Sequence, residues 1–131
     1  MFRRAKMDSK ARQVALQIGA SRVAMGVGIF LATRPVLRRL GFGEAGPTGM
    51  ALGKLGGGRD IAIGALTLAV RDDRQALRTA LLISSACDVA DAVALGASAA
   101  HPETRKAGIG GVLSGGIAAV AGLWAWRRLG D

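Results

Sequence analysis

The chain has 131 residues, half of them apolar, and a formal net charge of +9. This length favours a single domain, 1–131, because a second one would be too small to bury its own core. The aromatic content is low, and the basic residues fall between long apolar segments, so the composition argues against nucleic-acid binding. A single Cys87 and a single His101 provide neither a disulfide nor a metal-ligand set, and the sequence predicts no metal and no cofactor.

Four apolar stretches approach the roughly 20 residues that a helix needs to cross a bilayer. In chain order they are 14–33, 50–70, 79–100 and 107–126, and only the last carries no charge. Stretches rich in Pro, Gly and charge separate them, and the first of these, "RPVLRRLGFGEAGPTG", is interpreted as a connection. Short connections favour antiparallel neighbours. The predicted fold class is therefore an all-α membrane protein, an up-down-up-down bundle of four transmembrane helices.

A soluble helical bundle is the alternative fold. It would need a polar face on each helix, and residues 109–126 offer only Ser114 before the tryptophans. A helix that is apolar all round is buried in protein or in lipid, and a 13.4 kDa chain is too small to enclose it. The basic N-terminus resembles a secretory leader, but Arg22 interrupts the apolar run and no small-x-small site ends it, so we expect the segment to be retained.

The distribution of Lys and Arg predicts the orientation. Ten basic residues flank the side that holds both termini, and six flank the other side. By the positive-inside rule, both termini are expected in the cytoplasm of a bacterial inner membrane.

Charged residues recur at one depth in three of the segments. Arg22, Asp60 and Asp88 each lie 10 or 11 residues from a basic flank on the same predicted side, which corresponds to about 15 to 17 Å of helix, near the bilayer midplane. Arg59 and Asp91 lie about one turn deeper. Ionised groups at this depth are costly unless they pair within the bundle. The sequence therefore predicts an interhelical network of these two Arg and three Asp.

Asp88 and Asp91 share one helix face with Ser84, because they are three and four residues apart. Two interpretations of this predicted intramembrane polar site remain open. The charges either fasten the helices and set their register, or they line a functional cavity for a proton, a cation or a polar headgroup.

Glycines indicate where the helices approach closely. A stripe of small residues recurs at intervals of three or four along the last segment: Gly108, Gly111, Gly115, Ala118 and Gly122. Such stripes let helix backbones pack in lipid. Residues 56–58 are three glycines in a row and predict either a close crossing with a neighbour or a break in the helix, of which we favour the crossing.

Several elements together resemble a known family. "SRVAMGVGIFLATRPVLRRLGF", "GGGRDIAIGALTLA" and "CDVADAVA" are similar to small four-helix bacterial integral membrane proteins of unknown function that carry a Gly-Arg-Asp-x-x-x-Gly element and an Asp-x-x-Asp element. The resemblance implies a membrane bundle and brings no known reaction. It gives weight to Arg22, Arg59, Asp60, Asp88 and Asp91, and to Gly58 and Gly64, which we expect to pack helices together.

The expected function is that of an accessory or structural membrane subunit without evident catalytic activity. Its expected partners are the lipid bilayer and either further copies of the chain or a larger membrane complex. A transporter-like bundle for a small solute, a cation or a proton is one alternative. A lipid-modifying or redox membrane enzyme is another, although no nucleophile and base are paired in the sequence.

Overall fold

The computed structural model describes residues 7–130, and all regular structure in this range is helical. Five helices follow one another along the chain: α1 (Ser9–Leu31), α2 (Thr33–Leu40), α3 (Pro47–Ala69), α4 (Arg74–Ser98) and α5 (Arg105–Arg128). All except α2 have 23 to 25 residues, which is about 34 to 38 Å of helix. The described chain is thus built of four long helices and one short one.

The all-α prediction agrees with this architecture, whereas the prediction of four transmembrane helices is wrong. Three of the five described helices, α1, α4 and α5, are long and apolar enough to cross a membrane, each with a mean hydropathy of 1.6 in its most apolar stretch. Helix α3 has the length but also carries Lys54, Arg59 and Asp60. The prediction counted residues 50–70 as a span on length and gave this charge too little weight.

The fifth helix, α2, occupies the stretch that the sequence analysis interpreted as a connection. Pro35 has no N–H to donate to the carbonyl of Leu31, and its ring would clash there, so α1 ends at Leu31. A new helix begins at Thr33, with the proline in its first turn, where a missing N–H costs nothing. It ends at Leu40 and is capped by Gly41, whose φ of 97° is readily adopted only by glycine.

The four long helices form two antiparallel pairs, α1 with α3 and α4 with α5. In the first pair, Gly19 faces Gly64 and Gly26 faces Gly57. In the second pair, Gly108, Gly115 and Gly122 of α5 face backbone and small residues of α4, and Gly111 faces the side chain of Leu95. Each pair is therefore held by close backbone approach along a narrow stripe, as is usual where lipid supplies no hydrophobic drive between helices.

The two pairs meet in an apolar cluster at one end of the bundle, which we call the core end. Helices α1 and α4 begin there, and α5 ends there. Six fully buried residues form the cluster: Ala11, Ala15, Leu77, Leu81, Ala125 and Leu129. Helices α1, α4 and α5 thus meet at their ends, and this cluster joins the α1–α3 pair to the α4–α5 pair at the core end.

Helix α3 runs without interruption through the three glycines at 56–58. Gly57 packs against α1, whereas a side chain at Gly56 or Gly58 would meet open space. The structure has the close crossing that the sequence analysis favoured, and it has no break at this point of α3.

Large apolar side chains cover the outside of the bundle. Leu31, Leu55, Val93, Ile117 and Val120 are among the most exposed, each at about 70% or more. An exterior with so many exposed large apolar side chains is typical of a surface that meets lipid or another protein.

Candidate functional site

The site begins with two glycine crossings between α1 and α3. A Cβ on Gly64 would lie 2.5 Å from the carbonyl oxygen of Gly19, and a Cβ on Gly26 would lie 2.5 Å from that of Gly57. Both distances are too short for any side chain, so the backbones touch at two levels one heptad apart. Residues between the two levels, including Arg22 of α1 and Asp60 of α3, are thereby held opposite each other.

Arg22 lies at the centre of the site, and every nitrogen of its guanidinium is bonded. Nη1 donates to Oδ1 of Asp60 at 2.6 Å, and Nε donates to Oγ of Ser84 at 2.7 Å. Nη2 donates both to the carbonyl oxygen of Ser84, at 3.1 Å, and to Oδ1 of Asp88. We call these four residues the inner cluster. The side chains of Arg22, Asp60 and Asp88 are only 9%, 12% and 11% exposed.

A second ion pair adjoins the inner cluster. Arg59 holds Asp91 with two bonds, Nη1 to Oδ1 at 2.9 Å and Nη2 to Oδ2 at 2.6 Å. This bidentate arrangement suits the planar guanidinium. Nη2 of Arg59 also lies 3.5 Å from Oδ1 of Asp60, which links the two parts. We call Arg59 and Asp91 the outer pair. Its side chains are 39% and 37% exposed, so it is much more accessible than the inner cluster.

Helix α5 packs against α4 and holds it in position. A Cβ on Gly115 would lie 2.9 Å from the carbonyl oxygen of Asp88, and one on Gly122 would collide with Oγ of Ser85. Gly108 packs against the backbone of Leu95 and Ala99, and Gly111 packs against the side chain of Leu95. These contacts fix the position of the helix that carries Ser84 and Asp88, so α5 contributes to the site without placing a side chain in it.

The structure brings together all six polar residues named from the sequence. Arg22, Asp60, Ser84 and Asp88 form the inner cluster, and Arg59 and Asp91 form the outer pair.

Of the six glycines named for helix packing, Gly64, Gly108, Gly111, Gly115 and Gly122 lie at helix contacts. Gly58 does not, because a side chain there would meet open space. The crossing is made by its neighbour Gly57.

Sequence reasoning missed Gly19 and Gly26, and it did not single out Gly57 within the run 56–58. A signal for them was present, since Gly19 and Gly26 are seven residues apart, as are Gly57 and Gly64. Equal heptad spacing on two segments is what an antiparallel crossing at two levels requires. The role of the Ser84 backbone carbonyl was also missed, because a sequence does not indicate which main-chain carbonyl accepts a side-chain hydrogen bond.

The chemistry of the site is that of paired charges. Two guanidinium groups and three carboxylates give a formal charge of −1, and all of them are joined in one chain of ion pairs from Asp88 to Asp91. Within residues 7–130, no group of three or more His, Cys, Asp or Glu residues is arranged to hold a metal ion. The arrangement can join helices and can orient an ionic group at the outer pair.

Comparison of the chain with protein-family models, curated proteins and solved structures finds no match.

Proposed function

We propose that the protein is a multi-pass membrane protein that serves as an accessory or structural subunit without catalytic activity. In this proposal the inner cluster fastens the α1–α3 pair to the α4–α5 pair. The observation that carries it is the complete engagement of Arg22, whose three nitrogens bond Asp60 on α3 and Ser84 and Asp88 on α4. A guanidinium with all nitrogens bonded to fixed groups is suited to setting helix register.

The membrane location is supported by the three apolar helices and by the apolar exterior. Two tryptophans near the core end add to this argument. Arg78 lies 5.0 Å from the ring of Trp126, and Arg128 lies 5.9 Å from the ring of Trp124. Aromatic residues beside basic ones are typical of the membrane–water interface, and the excess of basic residues at this end supports cytoplasmic termini.

The proposal also fits the resemblance to small bacterial membrane proteins. The Gly-Arg-Asp-x-x-x-Gly element supplies Arg59, Asp60 and the packing glycine Gly64, and the Asp-x-x-Asp element supplies Asp88 and Asp91. We therefore propose that these two elements are structural partners, which place opposite charges on adjacent helices.

Membrane fractionation followed by an alkaline wash tests the location. We expect the protein to stay with the membrane until detergent is added. Release by salt or by the alkaline wash alone would contradict the membrane proposal and would favour a soluble or peripheral helical protein.

A transporter-like function for a proton or a cation is the second candidate, and the exposure of the outer pair favours it. Asp91 is 37% exposed and belongs to a cluster with one more carboxylate than guanidinium groups. A flux assay in sealed vesicles containing the purified protein separates the two candidates. The structural proposal predicts proton and cation flux no higher than in empty vesicles. Flux that Asp91→Asn abolishes and the surface change Asp72→Asn leaves intact would establish the second candidate instead.

A further inference from the structure

An apolar groove lies on the outside of the bundle between α1 and α5, near the core end. Its volume is about 530 Å³, and its lining is almost free of polar atoms. One residue of α1 and five of α5 line it: Val14, Gly116, Ile117, Val120, Ala121 and Trp124. From Trp124 to Gly116 the groove follows α5 for eight residues, or about 12 Å. This shape fits part of an extended hydrocarbon chain.

The groove depends on a glycine that internal packing does not use. Gly108, Gly111, Gly115 and Gly122 all contact α4, whereas a Cβ built on Gly116 would meet nothing within 4 Å. Gly116 therefore leaves a notch on the outer face of α5.

Two cations lie beyond the same end of the groove. Lys10 precedes Val14 by four residues on α1, and Arg128 follows Trp124 by four residues on α5. Because a spacing of four places residues on one helix face, each cation lies one turn beyond the lining, toward the core end. Both are exposed, and Arg128 lies over the ring of Trp124. Among residues 7–130, neither forms an ion pair.

We propose that this groove binds an acyl chain of an anionic phospholipid, with the phosphate between Lys10 and Arg128. The inference rests on the membrane location in the proposed function and is independent of the role of the inner cluster. The lining selects hydrocarbon, and the two cations select a negative headgroup. A second copy in the same membrane orientation would bring its own Lys10 and Arg128 to this end, and like charges disfavour that occupant.

Quenching of Trp124 fluorescence by brominated lipid tests the proposal, because this ring lines the groove. The Trp126→Phe variant leaves Trp124 as the only tryptophan. It is reconstituted in phosphatidylcholine vesicles that contain an equal small fraction of brominated phosphatidylglycerol or brominated phosphatidylcholine. We expect apparent binding of the anionic lipid to be stronger by about five-fold for each cation. The preference should fall as salt is raised.

Three variants, made in the same Trp126→Phe background, separate the groove from the bilayer around it. Gly116→Leu should fill the notch and remove quenching above the level of bulk lipid. Gly110→Leu is the matched control, because Gly110 also faces open space on α5 but lies outside the lining, and it should retain the preference. Arg128→Gln should reduce the preference about five-fold while quenching by brominated phosphatidylcholine stays unchanged.

The alkaline wash is repeated on each variant, so that loss of membrane insertion is distinguished from loss of the lipid site. A protein that resists the wash but shows equal quenching by both lipids would overturn the inference alone. Equal effects of Gly116→Leu and Gly110→Leu would also overturn it. So would a change in the oligomeric mass of Gly116→Leu without any lipid preference, because this result would place a second copy in the groove.

Discussion

Replacing Arg22 by methionine is the most direct test of the inner cluster. The change keeps a long side chain but makes it apolar, and it removes the bonds to Asp60, Ser84 and Asp88. Asp88, 11% exposed, would then lose its only guanidinium partner among the described residues, and Asp60, 12% exposed, would lose the nearer of its two. Removing one member of a buried ion pair costs about 3 to 5 kcal/mol. Since small domains are stable by about 5 to 15 kcal/mol, we expect Arg22→Met to lose a large share of the free energy of unfolding.

The matched control lies on the same helix. Arg12 also forms an ion pair, with Asp72 at 2.7 Å, but the two side chains are 35% and 76% exposed. Exposed pairs contribute about 0 to 1 kcal/mol. Arg12→Met should therefore lower the free energy of unfolding by no more than that amount, in the same denaturant titration of the detergent-solubilised protein.

A double variant separates pairing from packing. In Arg22→Met with Asp88→Leu, the carboxylate that depended on Arg22 alone is also removed, while Asp60 keeps its contact with Arg59. Replacing a buried pair by apolar residues is often neutral or stabilising. We expect the double variant to regain about 2 kcal/mol relative to Arg22→Met. If Arg12→Met and Arg22→Met lose equal stability, or if the double variant regains nothing, the structural role of the cluster is refuted.

Three further predictions concern the surrounding helices. Gly64→Ala should destabilise the detergent-solubilised protein by about 1 to 3 kcal/mol, because its Cβ would collide with α1. The control Gly56→Ala faces open space and should be neutral or stabilising. Equal losses of stability in the two variants would refute the crossing. Asp91→Asn weakens a pair with Arg59 that is partly exposed, so denaturation should show a loss of about 1 kcal/mol, well below that of Arg22→Met. Pro35→Ala restores a backbone donor between α1 and α2, so amide exchange at residues 32–34 should slow. Unchanged exchange there would mean that the proline does not separate α1 from α2.

The level of the charged residues could be predicted because helical rise is regular. Counting residues from the basic flanks assigned one depth to Arg22, Asp60 and Asp88, and Arg22 bonds both carboxylates. The choice of partner could not be predicted. Whether Arg59 bonds mainly Asp60 or Asp91 depends on how far α3 and α4 are rotated about their axes. The glycine crossings at 57 and 64 set this rotation for α3, and the α5 glycines at 108, 111, 115 and 122 set it for α4.

The helix count could not be obtained from apolar length alone. Helix α2 is short, basic and begins next to a proline, so its residues looked like a connection. It forms because Pro35 is tolerated in a first turn and Gly41 ends the helix with a positive φ. Helix α3 led to the opposite error. It is long enough to span a membrane, but its charged residues distinguish it from the three apolar helices.

The sequence separation of the ion partners has a consequence for synthesis. Arg22 leaves the ribosome 38 residues before Asp60 and 66 residues before Asp88. At about 5 to 20 residues per second, this guanidinium waits roughly 2 to 8 s for its first carboxylate. For a chain made at a membrane, α1 would spend that interval with an uncompensated charge in its centre. In the proposed membrane location, stable integration of the first helix would therefore depend on segments translated later, and truncation before α3 should leave α1 poorly retained in the bilayer.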